Sequence, residues 1–175
     1  MLIYQDFQSR SNSLVINIRH AYIVEFKTAY YSFYLPIALA MHMARVTDSS
    51  AFEQARNVLL PLGEYFQVQD DYLDCYGSPE VIGKIGTDIE DNKCGWLINQ
   101  ALAIANASQR QLLDANYGHK DPEKVKIVKD VYAELKLEDV YHKYEEDSFA
   151  RISKLIEEVD DSILPKQMFY DFMNR

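Results

Sequence analysis

The sequence has few cysteines and no long uninterrupted apolar run. Only Cys75 and Cys94 occur in 175 residues, without Cys-x-x-Cys spacing, which indicates no disulfide framework and favours free thiols in a reducing compartment. Lys27 interrupts the best apolar run and Pro36 follows it, so no segment reaches membrane-spanning length. The amino terminus also lacks the pattern of a signal peptide. We therefore expect a cytoplasmic protein without membrane insertion.

Positive charge is scarce as well. The chain has 18 basic and 27 acidic residues, which gives a formal net charge of −9. This charge argues against nucleic acid as the main partner, because phosphate backbones require basic patches. An anionic ligand would instead be reached through metal ions. The histidines are scattered without metal-ligand spacing, so we interpret them as structural or exposed: His20, His42, His119 and His142.

Apolar residues recur at helical spacing, and the sequence shows no convincing strand, repeat or linker. We predict an all-α fold in a single domain over residues 1–175. The first long helix carries an apolar face and is expected to kink at Pro36: Ile23, Phe26, Tyr30, Phe33, Tyr34 and Ile37. Further helices are predicted from Asp48 or Ser49 to about Tyr76, from Asp91 or Asn92 through Ile104, from a Ser108–Gln111 capping box, from Asp121-Pro122 to about Leu135, from about Glu138 to Val159, and from Pro165 onward.

An acidic pentad, Asp70-Asp71-Tyr72-Leu73-Asp74, lies near the end of the predicted second helix. Asp70 and Asp74 are four residues apart and share a helix face, where two carboxylates repel unless a cation lies between them. Mg²⁺ is commonly held by one or two carboxylates together with substrate phosphates. Asp71 lies off that stripe and could tune its neighbours or contact water. A solvated acidic face is the alternative, but the apolar flanks favour paired or metal-bound charges: Val68, Tyr72, Leu73 and Tyr76.

Three lysines are candidates for binding a phosphate: Lys27, Lys84 and Lys93. Lys84 lies in the glycine-rich loop Gly83–Asp88, and Lys93 lies near the start of the next helix. Asp88 could orient a metal-bound water or Lys84. Taken alone, this loop is better interpreted as an exposed loop with scattered charges.

Lys27 lies within the apolar first helix, beside Thr28. Such a lysine usually extends to solvent, whereas a functional one would enter a cavity and hold a diphosphate. Gln67 shares the helix face of Asp70 and Asp74, and its amide oxygen could face a developing carbocation. Glu145-Glu146-Asp147 is best interpreted as a solvated helix face.

Four segments together closely resemble the farnesyl diphosphate synthases of the trans-prenyltransferase family. They are residues 23–36, 63–74, 83–94 and 144–148, and the resemblance extends from about Arg19 to about Pro165. It implies an isoprenoid-synthase-type helical bundle, of which this chain represents the C-terminal portion.

The resemblance also implies an activity, a cofactor and residue roles. The family uses Mg²⁺ to condense isopentenyl diphosphate head to tail with an allylic diphosphate (dimethylallyl or geranyl), giving farnesyl diphosphate. Asp70, Asp71 and Asp74 would form the second aspartate-rich motif, with Asp70 foremost as the direct metal ligand and Asp88 acting through water. The substrate diphosphate would be bound at Lys27, Thr28, Gln67, Lys84 and Lys93. The catalytic set would be Lys27, Thr28, Gln67 and Asp70, with the Thr28 and Gln67 oxygens steadying the carbocation.

The chain departs from the family pattern in ways that bear on activity. Family members carry an earlier aspartate-rich motif followed by paired arginines, but no second Asp-Asp-x-x-Asp occurs here. The isopentenyl diphosphate site, the residues that set product length and the closing basic tail are missing too. His20 stands where relatives have tyrosine. We therefore expect a fragment or truncated form that is weak or inactive alone, and a homodimer or a pairing with a full-length synthase.

Other interpretations remain open. The chain could be a non-catalytic dimerisation or regulatory partner of a full-length synthase. A terpene cyclase fragment would share one aspartate-rich motif, although Lys27-Thr28 and the Lys84 loop speak against it. An acidic cation buffer is the least favoured alternative.

Overall fold

The computed structural model describes residues 13–83 and 85–173, and these ranges contain helices and turns but no strand. The predicted all-α fold is confirmed. No helix in the described ranges is long and apolar enough to span a membrane. The elements are α1 Ser13–Val24, a π-helix Glu25–Tyr34, α2 Leu35–Met43, α3 Ser49–Tyr76, α4 Pro79–Ile82, α5 Trp96–Ile104, α6 Ala107–Asn116, α7 Pro122–Glu134, α8 Leu137–Glu157 and α9 Lys166–Met173.

The predicted first helix contains an unexpected ten-residue π-helix between α1 and α2. The Leu35 N–H donates to the Tyr30 carbonyl, five residues earlier. Pro36 has no N–H and its ring opposes the preceding helical turn, so wider winding before it avoids the clash of a regular α-helix. The sequence predicts a kink at Pro36. The structure instead places the change of helix type just before it, at the Tyr34–Leu35 junction.

Helix α3 is the longest element and begins as predicted. The Asp48 side chain caps it by accepting from the Ser50 N–H at 2.9 Å. The π-helix crosses α3 at Gly63, where an added Cβ would lie 2.4 Å from Ala29 Cα. The two backbones are therefore in contact, and only glycine fits at this crossing.

Two hydrophobic clusters line opposite ends of α3. The first joins its carboxyl-terminal half to α5, α6, α7 and the start of α8, with Tyr132 and Leu137 fully buried. The second joins its amino-terminal half to α2, the end of α8 and α9, with Leu59 and Phe169 fully buried. Because α3 belongs to both clusters, the end of α3 that carries the acidic pentad is held firmly against α5 and α8.

Several boundaries differ from prediction. Helix α5 begins at Trp96 rather than near Asp91, because Asn92 adopts a left-handed conformation (φ 55°) within a turn. The capping box of α6 is formed by Asn106 and Gln109, two residues before the predicted pair. The short helix α4 occupies part of the predicted loop.

The start of α7 agrees with prediction. Asp121 caps it by accepting from the Glu123 N–H at 2.9 Å, and Pro122 is its first residue.

Substituting Gly63→Ala is expected to destabilise the fold, because the new methyl group would overlap the backbone of Ala29, a residue that is buried at the helix crossing. We expect a loss of about 1–3 kcal/mol in the free energy of unfolding, the range typical of overpacked cores. Urea denaturation followed by circular dichroism measures it. Asn57→Ala, exposed on the same helix, should change stability by less than about 0.5 kcal/mol. Equal stability of both variants would contradict the close crossing.

Candidate functional site

The acidic pentad occupies the last two turns of α3, and its three aspartates have different environments. Asp70 is exposed, whereas Asp71 and Asp74 are buried, with 8% and 9% of their surface exposed. A buried carboxylate requires hydrogen-bond donors or a cation. The partners of Asp71 and Asp74 therefore show what those two residues do in the fold.

Asp74 holds the glycine-containing loop that follows α4. Its carboxylate accepts from the Asp88 N–H at 2.9 Å and from the Thr87 N–H at 3.4 Å. Gly86 lies so close that an added Cβ would fall 1.7 Å from the Asp74 carbonyl oxygen. The loop backbone thus rests directly on the end of α3. Lys84, predicted to bind phosphate from this loop, lies outside the described residues.

Asp71 holds the start of α5 and the side chain of Gln67. Its Oδ2 accepts from the Trp96 N–H at 2.7 Å, at the amino terminus of α5 where partial positive charge concentrates. Its Oδ1 accepts from Gln67 Nε2 at 2.9 Å. His20 Nε2 lies 3.5 Å from Oδ2. The sequence pattern left Asp71 off the metal-facing stripe, and the structure places it among protein donors.

Thr28 and Gln67 meet across the crossing of the π-helix and α3. The Thr28 hydroxyl is buried and donates to Gln67 Oε1 at 2.5 Å. Together with the Gln67–Asp71 bond, this makes a hydrogen-bonded series Thr28–Gln67–Asp71. Lys27 is exposed on the π-helix beside Thr28. Two adjacent residues of the π-helix therefore present different groups, the buried hydroxyl of Thr28 and the exposed ammonium of Lys27.

Tyr117 fixes the turn that leads into α5, a role that no sequence signal indicated. Its hydroxyl donates to the Lys93 carbonyl at 2.7 Å and lies 3.3 Å from the Asp88 carbonyl. Burial raises the pKa of Tyr117 well above its ordinary value, so the hydroxyl remains a donor. The Lys93 N–H donates to the Asp88 carbonyl at 3.0 Å. Asp88 and Lys93 are thus held at the two ends of one turn.

Negative charge is concentrated around Asp88. Burial first, and then the charges of Asp74 and Asp71, raise the pKa of Asp88 to about 6, while Lys93 acts in the opposite direction. Asp70 adds to the same repulsion. Within the described ranges, no three His, Cys, Asp or Glu side chains are grouped as a metal cage. An exposed carboxylate beside buried ones nevertheless suits a hard cation that keeps waters or phosphates as its other ligands.

Comparison with known proteins shows the family to which the chain belongs. The sequence profile of the family described as polyprenyl synthetase matches residues 4–135. The farnesyl pyrophosphate synthase of Candida albicans is 60% identical over 144 residues, covering 82% of this chain and 41% of that protein. The enzyme of Rattus norvegicus is 53% identical over 157 residues, covering 90% and 44%.

A solved structure shows the same fold. The structure of T. brucei farnesyl pyrophosphate synthase matches with a TM-score of 0.78 and 36% identity, over 90% of this chain and 48% of that chain. The matched region is the C-terminal portion of the curated relatives. The chain therefore spans two fifths to one half of the length of the proteins it matches.

Asp88→Asn is expected to stabilise the metal-free protein at neutral pH. The unfolded chain ionises Asp88 near 3.8 and the folded chain near 6, so the folded state binds more protons between these values. The contribution of the Asp88 carboxyl to the free energy of unfolding therefore falls as pH rises from about 4 to about 6. The Asp88→Asn variant has no carboxyl at this position and does not lose that stability. Urea midpoints at about pH 4 and about pH 7.5 test this, with the variant more stable only at the higher pH.

Asp91→Asn is the matched control, because hydrogen bonds from Lys120 and Thr87 lower the pKa of Asp91. Its effect should have the opposite sign at neutral pH. A variant of Asp88 that is less stable than the parent at neutral pH would contradict the crowding of negative charge.

Proposed function

The chain belongs to the polyprenyl synthetase family, and on that premise we propose that it carries one wall of a prenyltransferase site. This wall binds an allylic diphosphate through Mg²⁺ and steadies the carbocation that forms when diphosphate leaves. The observation that carries the proposal is the Thr28–Gln67–Asp71 series lying one residue from the exposed Asp70.

The diphosphate end of the proposed site combines an exposed carboxylate with lysines. Asp70 is the carboxylate that would hold Mg²⁺, and the ion would supply positive charge to offset the negative charge of the leaving diphosphate. Lys27 is exposed on the π-helix, and Lys93 is placed by the turn that Tyr117 fixes. Both ammonium groups would attract and orient the diphosphate. Lys84 and the Asp88 carboxylate, acting through water, complete the proposed set.

The carbocation end consists of neutral oxygens. Thr28 Oγ1 and Gln67 Oε1 lie together at the helix crossing, and each carries a partial negative charge without being a strong nucleophile. Oxygen dipoles held in place before the reaction stabilise a developing positive charge more effectively than mobile water. The hydrogen bonds to Asp71 and its backbone partner hold them in place.

The proposed reaction is the condensation of isopentenyl diphosphate with dimethylallyl or geranyl diphosphate to give farnesyl diphosphate, in a reducing, cytoplasmic compartment that suits the free thiols of Cys75 and Cys94. The 175 residues contain one Asp-Asp-x-x-Asp motif, and we propose that the chain alone catalyses this condensation weakly or not at all. Incubating the purified chain with radiolabelled isopentenyl diphosphate, geranyl diphosphate and Mg²⁺ tests this. Robust farnesyl diphosphate formation would contradict it.

Asp70→Asn should abolish most Mg²⁺-dependent binding of inorganic pyrophosphate, because Asp70 is the proposed direct metal ligand. We expect affinity to fall by about tenfold or more, since losing even an outer partner of a metal ligand has effects of that size. Calorimetric titration of pyrophosphate with and without Mg²⁺ measures it. Asp114→Asn, at an exposed aspartate on α6, is the control. Unchanged binding in the Asp70 variant would refute its proposed role.

A second candidate function is association with another synthase chain, either a homodimer or a longer subunit. The observation that favours it is an exposed apolar face along α1, the π-helix and α2: Tyr22, Phe26, Tyr31, Leu39 and Met43. Tyr31 is 69% and Met43 86% exposed, and contiguous exposed apolar surface marks interaction sites. Association would be compatible with catalysis, since a partner could supply the other wall of the site.

Leu39→Glu with Met43→Glu should convert an associated species to monomer, because two carboxylates would enter an apolar interface unpaired. The expected weakening exceeds about tenfold in dissociation constant. Sedimentation of the chain alone, and copurification with a coexpressed full-length relative, measure it. Phe149→Glu, a change at an exposed aromatic on α8, should leave assembly intact. Equal effects of both changes would argue against this face.

A further inference from the structure

The Thr28–Gln67–Asp71 series has a fixed polarity. An ionised carboxylate only accepts hydrogen bonds, whereas an amide has one accepting and one donating end. With its NH₂ group bonded to Asp71 Oδ1, Gln67 has only its oxygen available for the Thr28 hydroxyl. The direction of the Gln67 amide dipole is therefore decided by the accepting oxygen of Asp71.

We propose that Asp71 is a positioning residue that fixes the orientation of the Gln67 amide, so that Oε1 and not Nε2 faces Thr28. The catalytic meaning of this orientation rests on the proposed function, in which Oε1 stabilises a carbocation. With the amide reversed, an N–H donor with partial positive charge would face that carbocation. Asp71 thus acts through Gln67 and not by touching the substrate.

The geometry makes Asp71 a rigid support for this role. Its side chain is buried, and its second oxygen, Oδ2, accepts from a backbone N–H that begins α5. His20 Nε2 approaches the same oxygen at 3.5 Å. Rotating the carboxylate away from Gln67 would break the Trp96 bond and leave a buried charge unsatisfied. Gln67 is therefore held by an acceptor whose own position is fixed by a second hydrogen bond, from the Trp96 N–H.

Asp71→Asn separates the orienting role from the structural one. The oxygen of the introduced amide can still accept from the Trp96 N–H, which keeps the start of α5 in place. The NH₂ group of the introduced amide then faces Gln67, where two donors would meet. Gln67 is expected to reverse, so that its oxygen accepts from position 71 and its NH₂ group faces Thr28.

The exchange Gln67→Glu with Asp71→Asn is the matched rescue variant. The carboxylate introduced at position 67 accepts from the amide introduced at position 71 with one oxygen and from the Thr28 hydroxyl with the other. The net charge of the pair is unchanged, and an oxygen again faces Thr28. Recovery in this double variant would be difficult to explain if Asp71 served only to hold the fold together.

Side-chain amide NMR tests the orientation in the isolated chain without any ligand. In the parent protein, the Gln67 NH₂ protons should show nuclear Overhauser contacts to the Asp71 β-protons. In Asp71→Asn these contacts should shift to the Thr28 methyl group. Contacts to Thr28 in the parent, or an unchanged pattern in the variant, would overturn the proposal. The parent spectrum alone decides the matter if the single variant does not fold.

A ligand measurement separates this inference from the proposed function. The probe is a geranyl analogue with a tertiary ammonium nitrogen at the cationic carbon, compared with its uncharged isostere, both with Mg²⁺ and pyrophosphate. The preference of the parent for the charged analogue should fall about tenfold or more in Asp71→Asn, the size of one hydrogen bond to a charged group. The double variant should recover it.

The two failures are distinguishable. If the parent shows no preference for the charged analogue while the NMR contacts hold, the carbocation site is wrong and the orienting role of Asp71 stands. If the preference exists and survives unchanged in Asp71→Asn, the orienting role is wrong.

Discussion

Buried carboxylates that accept backbone N–H groups are the constraint on which the rest of this site depends. The carboxylates of Asp71 and Asp74 are buried at the end of α3. Hydrogen bonds from two backbone N–H groups, those of Trp96 and Asp88, replace the hydrogen bonds that these carboxylates would make to water. A buried charge without such partners would destabilise the fold by several kcal/mol. The same two bonds hold α5 and the loop against α3. Two aspartates that the sequence pattern presents as metal ligands therefore also position the backbone around the site.

The aspartates of the acidic pentad therefore have two kinds of role, one in holding the fold and one in the proposed chemistry. Asp70 is exposed to solvent and its cations, whereas Asp71 and Asp74 serve the loop, α5 and Gln67. The buried charges still act at a distance, because they contribute to raising the pKa of Asp88 to about 6. A site with this much negative charge is suited to a divalent cation, and a bound cation would relieve the repulsion that the fold maintains.

Local signals predicted the fold well, and long-range contacts escaped prediction. The sequence predicts Asp121 as a helix cap and offers Asp48 as one of two candidates, because capping depends on residues within one turn. The π-helix was not predicted, since its apolar spacing is also that of an α-helix. The contact of Gly86 with Asp74 and the hydroxyl of Tyr117 join residues far apart in sequence. The predicted site residues Thr28 and Gln67 do meet, but only the structure reveals their bond.

Amide hydrogen exchange at Trp96 and Asp88 tests the central claim most directly. If Asp71 and Asp74 already bind these N–H groups in the metal-free protein, both amides should be strongly protected before any ligand is added, and Mg²⁺ with pyrophosphate should change their exchange little. Rapid exchange in the metal-free chain, slowing only when Mg²⁺ and pyrophosphate are present, would show that these carboxylates are ordered by metal and would contradict the account.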